Sequence, residues 1–157
     1  MQNENTKSGE LKALKIMHRA MLLGQVIFAV LAFLLNYSGR FTLVLKSQDQ
    51  LLQVISILLS ITGFFVGSSL FQKRMLQLRE TSPGFKTKLT TYRSASLVQW
   101  ALLEGASLFC IICFMLAGNY SFLGLAATLM LVFAIIGPTK QKMGMLLHLT
   151  EKEMDQL

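Results

Sequence analysis

The sequence predicts an all-α, polytopic membrane protein whose four transmembrane helices form two hairpins. Of its 157 residues, 53% are hydrophobic and 15% are charged, whereas a soluble domain has about 25% charged residues spread along the chain. The charges cluster between four apolar blocks, at residues 20–35, 51–71, 94–116 and 122–137. A transmembrane helix needs about 20 mainly apolar residues, so we assign the first three blocks directly and the fourth with residues from its ends.

Basic residues beside these blocks predict the orientation of the chain. All of the 15 lysines and arginines except Arg40 and Lys46 precede the first block, lie between the second and third, or follow the fourth. Under the positive-inside rule such segments stay in the cytoplasm, so we expect cytoplasmic termini and a cytoplasmic middle connection. This bias accounts for the net charge of +7, which is therefore no sign of nucleic-acid binding. The first block is longer than the apolar region of a signal peptide and is expected to be retained.

The elements follow in order from a polar start. Residues 1–10 are predicted to be disordered because they are polar, and residues 11–138 to form the transmembrane domain. Its helices are expected at about residues 11–36, 49–79, 89–117 and 120–137. Residues 139–157 are predicted to be a cytoplasmic tail that lies at the membrane interface. Within the tail, Thr150 and Glu153 have the spacing of a helix capping box.

Small residues form a stripe on the second predicted helix. Ser56, Ser60, Gly63 and Gly67 recur at helical spacing, and the last two form a GxxxG motif. Such a stripe lets another helix approach closely, and Gly105 on the third helix is assigned to the same packing. The stripe packs against a neighbouring helix of the chain or against a second copy; we favour the first because the neighbouring helices also need a contact surface.

The two hairpins resemble each other, which suggests a parallel duplication. Residues 20–28 parallel residues 101–109, with alanine, glycine and phenylalanine at matching places and Leu23 where the second half has Glu104. The carboxyl is then an addition to one half.

Glu104 is the main candidate for a functional side chain because it lies within the third apolar block. A carboxyl at this depth costs about 2.5–3.5 kcal/mol on insertion scales and usually faces a partner or a cavity. Trp100 lies one helical turn away and could shield it from lipid. Further polar side chains at similar depth complete the candidate intramembrane site: Gln25, Thr62 and Thr128. Glu104 is interpreted either as a carboxyl that binds a proton or cation, or as a fastener between helices.

The remaining patterns argue against an enzyme. Cys110 and Cys113 form a CxxC inside a continuous apolar helix, without a second ligand pair, so we expect packing residues and no metal or redox site. His18 and His148 are each alone near predicted interfaces, and we expect both at the surface. We find no phosphate-binding loop, hydrolase motif or paired carboxylates, and predict no catalytic residue and no cofactor.

Residues 101–109 (ALLEGASLF), within a chain that closes with Gly-Pro-Thr-Lys140, carry two resemblances. The whole pattern resembles small bacterial four-helix integral membrane proteins of uncharacterised activity, which implies the bacterial inner membrane. Residues 103–109, with Asn119 after them, are similar to the ion-binding helix of rotary ATPase proteolipids, whose carboxylate carries a proton or sodium ion. This chain departs from proteolipids because Glu104 lies on the first helix of its hairpin.

These patterns predict a non-enzymatic membrane scaffold or accessory subunit. The alternative is a proton- or cation-handling protein in which Glu104 titrates. The expected partners are the lipid bilayer and either a second copy or another membrane protein.

Overall fold

The computed structural model describes residues 8–39, 48–81 and 84–154, and all regular structure among them is helical. There are six helices in this part of the chain. They are α1 (Ser8–Tyr37), α2 (Asp49–Thr81), α3 (Phe85–Ala117), α4 (Tyr120–Ile135), α5 (Lys140–Leu147) and α6 (Glu151–Met154). The all-α prediction is therefore confirmed for the described residues. Most of the predicted N-terminal segment lies outside them, and α1 begins at Ser8.

Contacts between distant residues give the direction of the helices. The Asn36 side chain, at the end of α1, donates to the carbonyl oxygen of Phe114 near the end of α3 at 3.0 Å. Arg74, late in α2, donates to the hydroxyl of Ser94 early in α3 at 2.7 Å. Hence α1 and α3 run in one direction and α2 in the other. We call the end where α1 begins, α2 ends and α3 begins the basic end.

Three helices are long and apolar enough to cross a membrane: Leu11–Tyr37, Asp49–Thr81 and Phe85–Ala117. These are the features of a multi-pass membrane protein. The fourth helix, α4, has 16 residues, about 24 Å at 1.5 Å per residue. Only α4 and α5 together are long and apolar enough to cross a membrane, and the axes of these two helices are bent by 70° relative to each other. The bend falls at Gly137 and Pro138, where proline cannot donate a helical hydrogen bond.

The third helix, α3, is the centre of the bundle and packs against α1, α2 and α4. Half of the residues in the 18-residue apolar stretch of α3 are buried, compared with 17% in that of α1 and 22% in that of α2. The outer faces of α1 and α2 carry long exposed apolar rows that include Val26, Val30, Leu58 and Phe65. In water these rows would be costly to expose; they are suited to lipid or to another transmembrane helix.

The small residues of α2 face α3 in the same chain, and all four are buried. A Cβ atom on Gly63 would lie 3.2 Å from the carbonyl oxygen of Leu102 and 3.6 Å from Cβ of Ala106. At Gly67, a Cβ atom would lie 3.5 Å from Cα of Gln99. The backbones therefore approach closely because neither position carries a side chain.

The hydroxyl groups of the same stripe meet the two cysteines. Ser56 Oγ donates to Cys113 Sγ at 3.6 Å, and Ser60 Oγ lies 3.8 Å from Cys110 Sγ. Both cysteines are buried and free. Gly105 is on another face of α3, where it is exposed and a Cβ atom would have no neighbour within 4 Å among the described residues.

The segment after α4 closes the basic end of the bundle. On α5, Met143 and Leu147 are four residues apart and share one face, which is buried in the core. The same core cluster includes Leu14 of α1, Leu78 of α2 and Leu89 of α3. The predicted interfacial tail thus contributes side chains to the bundle, because the bend at Pro138 turns α5 across its end.

The predicted capping box forms in part at the start of α6, through Glu153, while the Thr150 hydroxyl acts as a donor to the same carboxylate. The backbone N–H of Thr150 donates to Glu153 Oε2 at 2.8 Å, and the Thr150 hydroxyl donates to the same oxygen at 3.0 Å. The Thr150 N–H beside the carboxylate lowers the pKa of Glu153, because a hydrogen bond to the charged form stabilises it.

Candidate functional site

The structure separates the residues of the predicted intramembrane site into two groups. Gln25 and Trp100 are buried, each with 1% of its surface exposed. Thr62 and Thr128 are exposed, and the Thr128 hydroxyl donates to the carbonyl oxygen of Gly124 in its own helix at 2.9 Å. The two threonines have a suitable depth but lie on outer faces of α2 and α4, so they do not join the buried group.

Glu104 lies at the edge of the α3 core and is partly buried. Leu103 beside it is 1% exposed, whereas Ala101 and Gly105 are on the exposed face of the helix. Within the described parts of the chain, Glu104 has no hydrogen bond, ion pair or charged neighbour. The carboxyl is therefore positioned between the bundle and its surroundings.

The centre of the buried group is His18, which we expected at the surface. That expectation is wrong: the side chain of His18 is 5% exposed. Its ring stacks on Phe133 of α4 with the centroids 4.5 Å apart and meets Trp100 of α3 edge-on at 4.8 Å. One histidine of α1 thus contacts two other helices, and the three rings form what we call the His18 cluster.

A hydrogen bond fixes the orientation of the imidazole. His18 Nε2 lies 3.0 Å from the carbonyl oxygen of Phe133; because a carbonyl oxygen only accepts, Nε2 carries the proton. Phe133 is in the last turn of α4, where its carbonyl oxygen also accepts from the backbone N–H of Ile136 at 3.2 Å, a contact of the 3₁₀ type that is common at helix ends. His18 therefore caps the end of a helix that is 115 residues away in sequence.

Lys142 caps a second carbonyl at the same helix end. Its ammonium group donates to the carbonyl oxygen of Ile135 at 2.9 Å, and a positive charge is favourable at a helix C-terminus. Gly137 lies beside the imidazole, and a Cβ atom there would be 3.1 Å from Cε1 of His18. The absence of a side chain at Gly137 thus allows the bend to approach α1.

Within the His18 cluster and next to it lie buried polar groups without a described protein partner. They are both polar atoms of the Gln25 side chain, Ser107 Oγ and Trp100 Nε1. From the His18–Trp100 contact, seven residues along the parallel helices α1 and α3 lead to Gln25 and Ser107, a rise of about 10 Å on each. The amide and the hydroxyl are therefore at the same level. Each such group costs about 1–3 kcal/mol if it stays unpaired.

The sequence does contain a signal for this face of α1. Leu11, His18, Gln25 and Ala32 recur at intervals of seven residues, and all are buried. Residues seven apart lie on nearly the same side of a helix. The two polar members therefore belong to the packed stripe and not to the basic face formed by Lys12, Lys15 and Arg19.

The site offers no metal centre within the described residues, where no group of three or more histidine, cysteine, aspartate or glutamate side chains could hold an ion. It consists of a helix-capping imidazole, a level of buried polar groups and one carboxyl at the edge.

The fold and the site together define an all-helical membrane protein in which a buried polar cluster joins the first, third and fourth helices. Comparison of the chain with protein-family models, with curated proteins and with solved structures gives no match in any of the three.

Proposed function

We propose that the chain is a non-enzymatic accessory subunit or scaffold that contributes Glu104 to a contact with another membrane protein or a second copy. The observation that carries this proposal is the position of Glu104, near the middle of α3 and partly exposed, without a partner among the described residues. A carboxyl at that depth usually faces a partner or a cavity. The outer faces of α1 and α2 also present exposed apolar rows, which a second transmembrane helix would cover.

The proposed topology has four spans, in two hairpins, with both termini in the cytoplasm of a bacterium and the bundle in its inner membrane. Support comes from the basic residues at the beginning of α1, the end of α2, the beginning of α3 and α5, which the positive-inside rule assigns to the cytoplasm. The short α4 completes the fourth span when its bent continuation at Gly137 and Pro138 enters the interface.

The topology is tested with single cysteines in exposed positions and a membrane-impermeant maleimide on spheroplasts. In a background with Cys110→Ser and Cys113→Ser, Ser38→Cys should react from outside, whereas Thr150→Cys should react only after lysis. Labelling of both from outside would contradict the proposed orientation.

The contact through Glu104 is tested by isolating the protein from native membranes in mild detergent. We expect Glu104→Leu to remove the associated protein and Glu104→Gln to retain most of it, because glutamine still donates and accepts hydrogen bonds. Ala101→Leu, on the exposed face one turn earlier, is the matched control for added bulk. If Glu104→Leu keeps the same associated protein as the unmodified chain, the proposed contact is wrong.

An alternative function is proton or cation handling with Glu104 as the titrating group. It is favoured by the unpartnered Gln25 and Ser107 groups in the same part of the bundle, since buried polar groups can hold water beside a carboxyl. Infrared difference spectra of the protein in lipid, against Glu104→Gln, distinguish the two functions. Exchange of the carboxyl proton between about pH 5 and 9 supports ion handling; a carboxyl locked in one state over this range refutes it.

A further inference from the structure

A cavity of about 410 Å³ opens at the basic end of the bundle, between α2, α3 and the segment from α4 to α5. It differs from the interior polar groups because it combines apolar, aromatic and charged side chains. The lining used below consists of Phe71, Trp100 and Ile136 on the apolar side and Tyr92, Gln99 and Lys142 on the polar side. Its volume is within the range of about 300–1,000 Å³ that is usual for ligand pockets.

Lys142 gives the cavity its charge. The ammonium group donates one hydrogen bond, to the carbonyl oxygen of Ile135, and has three donor hydrogens. It can therefore bind an anionic oxygen while it keeps its capping role. The Gln99 amide, which donates to Ser68 Oγ at 3.4 Å, adds a neutral polar group to the same wall.

The position of the cavity matches the boundary between acyl chains and head groups. Phe71 stands at the end of the second apolar block, and Lys73 and Arg74 follow two and three residues later. On α3, the aromatic side chains of Tyr92 and Trp100 line the cavity from within the bundle, where both are buried.

We propose that this cavity binds one anionic phospholipid, with its phosphate at Lys142 and the start of an acyl chain against Phe71 and Ile136. Basic side chains near a membrane surface attract anionic lipids by electrostatics that fall off within a Debye length. A preformed cavity with an apolar wall adds selectivity, because it holds a single lipid molecule. This site is independent of the contact proposed at Glu104.

The fluorescence of Trp100 gives a direct readout of lipid binding, because Trp100 is the single tryptophan and lines the cavity. The full chain is placed in phosphatidylcholine nanodiscs that contain a small fraction of brominated phosphatidylglycerol, or the same fraction of brominated phosphatidylcholine. Bromine quenches the indole on contact. One lysine is expected to give about a fivefold preference for the anionic lipid, seen as stronger quenching by phosphatidylglycerol at equal fractions. Equal quenching by the two lipids overturns the proposal.

Two pairs of variants locate the site. Lys142→Gln should remove the preference, whereas Lys140→Gln, an exposed charge two residues away, should retain it. If both lower it equally, the preference reflects general surface charge and the proposal is wrong. Met145→Phe narrows the cavity without changing charge, since the exposed Met145 also lines it; its control is Gln141→Phe, outside this lining. If Met145→Phe loses the preference for the anionic lipid and Gln141→Phe keeps it, the site is supported even if Lys142→Gln fails to fold. If Met145→Phe keeps the preference, the proposal is refuted.

Discussion

The close approach of α2 and α3 predicts opposite effects for one substitution at two glycines. In Gly63→Ala the new Cβ would lie 3.2 Å from the backbone oxygen of Leu102, so α3 must move by a few tenths of an ångström. Overpacking of this kind costs about 1–3 kcal/mol, while alanine in a helix gains about 0.5–1 kcal/mol over glycine. The net expectation is a loss of about 1 kcal/mol, and a Tm lower by about 2–4 °C.

Gly105→Ala is the matched control because it makes the same chemical change on the other face of α3. Nothing described lies within 4 Å of a Cβ atom at this position, so only the helix-propensity gain of about 0.5–1 kcal/mol remains. Thermal unfolding of both variants in the same detergent, followed by circular dichroism, measures the difference. If Gly63→Ala raises the Tm as much as Gly105→Ala does, the close contact between α2 and α3 is refuted.

Two further predictions concern the helix ends. In His18→Ala, the Phe133 carbonyl loses the imidazole donor but keeps the backbone N–H of Ile136 at 3.2 Å. The lost hydrogen bond costs about 0.5–1.5 kcal/mol, in addition to the lost ring contacts, so thermal unfolding should occur at a lower temperature and amide exchange in the last turn of α4 should be faster. Unchanged exchange there would show that the imidazole is not a cap. The pKa of Glu153 is lowered by the Thr150 N–H, so the cap contributes stability above the unfolded-state pKa of about 4.3 and loses it as the pH falls through the lower folded-state value. Amide exchange at Thr150, corrected for its intrinsic pH dependence, should therefore lose protection in acid, and Glu153→Gln should remove this pH dependence; the same acid response in the variant would contradict the assignment.

The sequence predicts the lengths of the helices well because apolar blocks and chain breaks are local signals. The second helix was expected at about residues 49–79 and is Asp49–Thr81; the third was expected at 89–117 and is Phe85–Ala117. The third ends where Gly118 adopts a left-handed conformation with φ 72°, which glycine adopts without steric cost.

The rotation of each helix about its axis is harder to predict, because it depends on which neighbours the bundle supplies. Thr62 and Thr128 have the depth of Glu104 but face outward. His18 stands between basic residues, as a surface side chain would, and yet its acceptor is a backbone carbonyl on α4. That carbonyl lies in the last turn of α4, where it accepts the imidazole bond in addition to the one from the Ile136 N–H, and side-chain patterns alone do not show this. The seven-residue recurrence from Leu11 to Ala32 is the one signal that places His18 inside.

The hydrogen bond between His18 and Phe133 also has a consequence for the biogenesis of the protein. It joins α1 to α4, across 115 residues, and contacts of long sequence separation form late because the intervening loop must first be closed. A chain inserted one helix at a time therefore holds the imidazole of α1 unpaired until α4 arrives. Arrival of α4 then completes the assembly, and a chain truncated before residue 133 should be recognised as unfinished by the proteases that survey newly inserted membrane proteins.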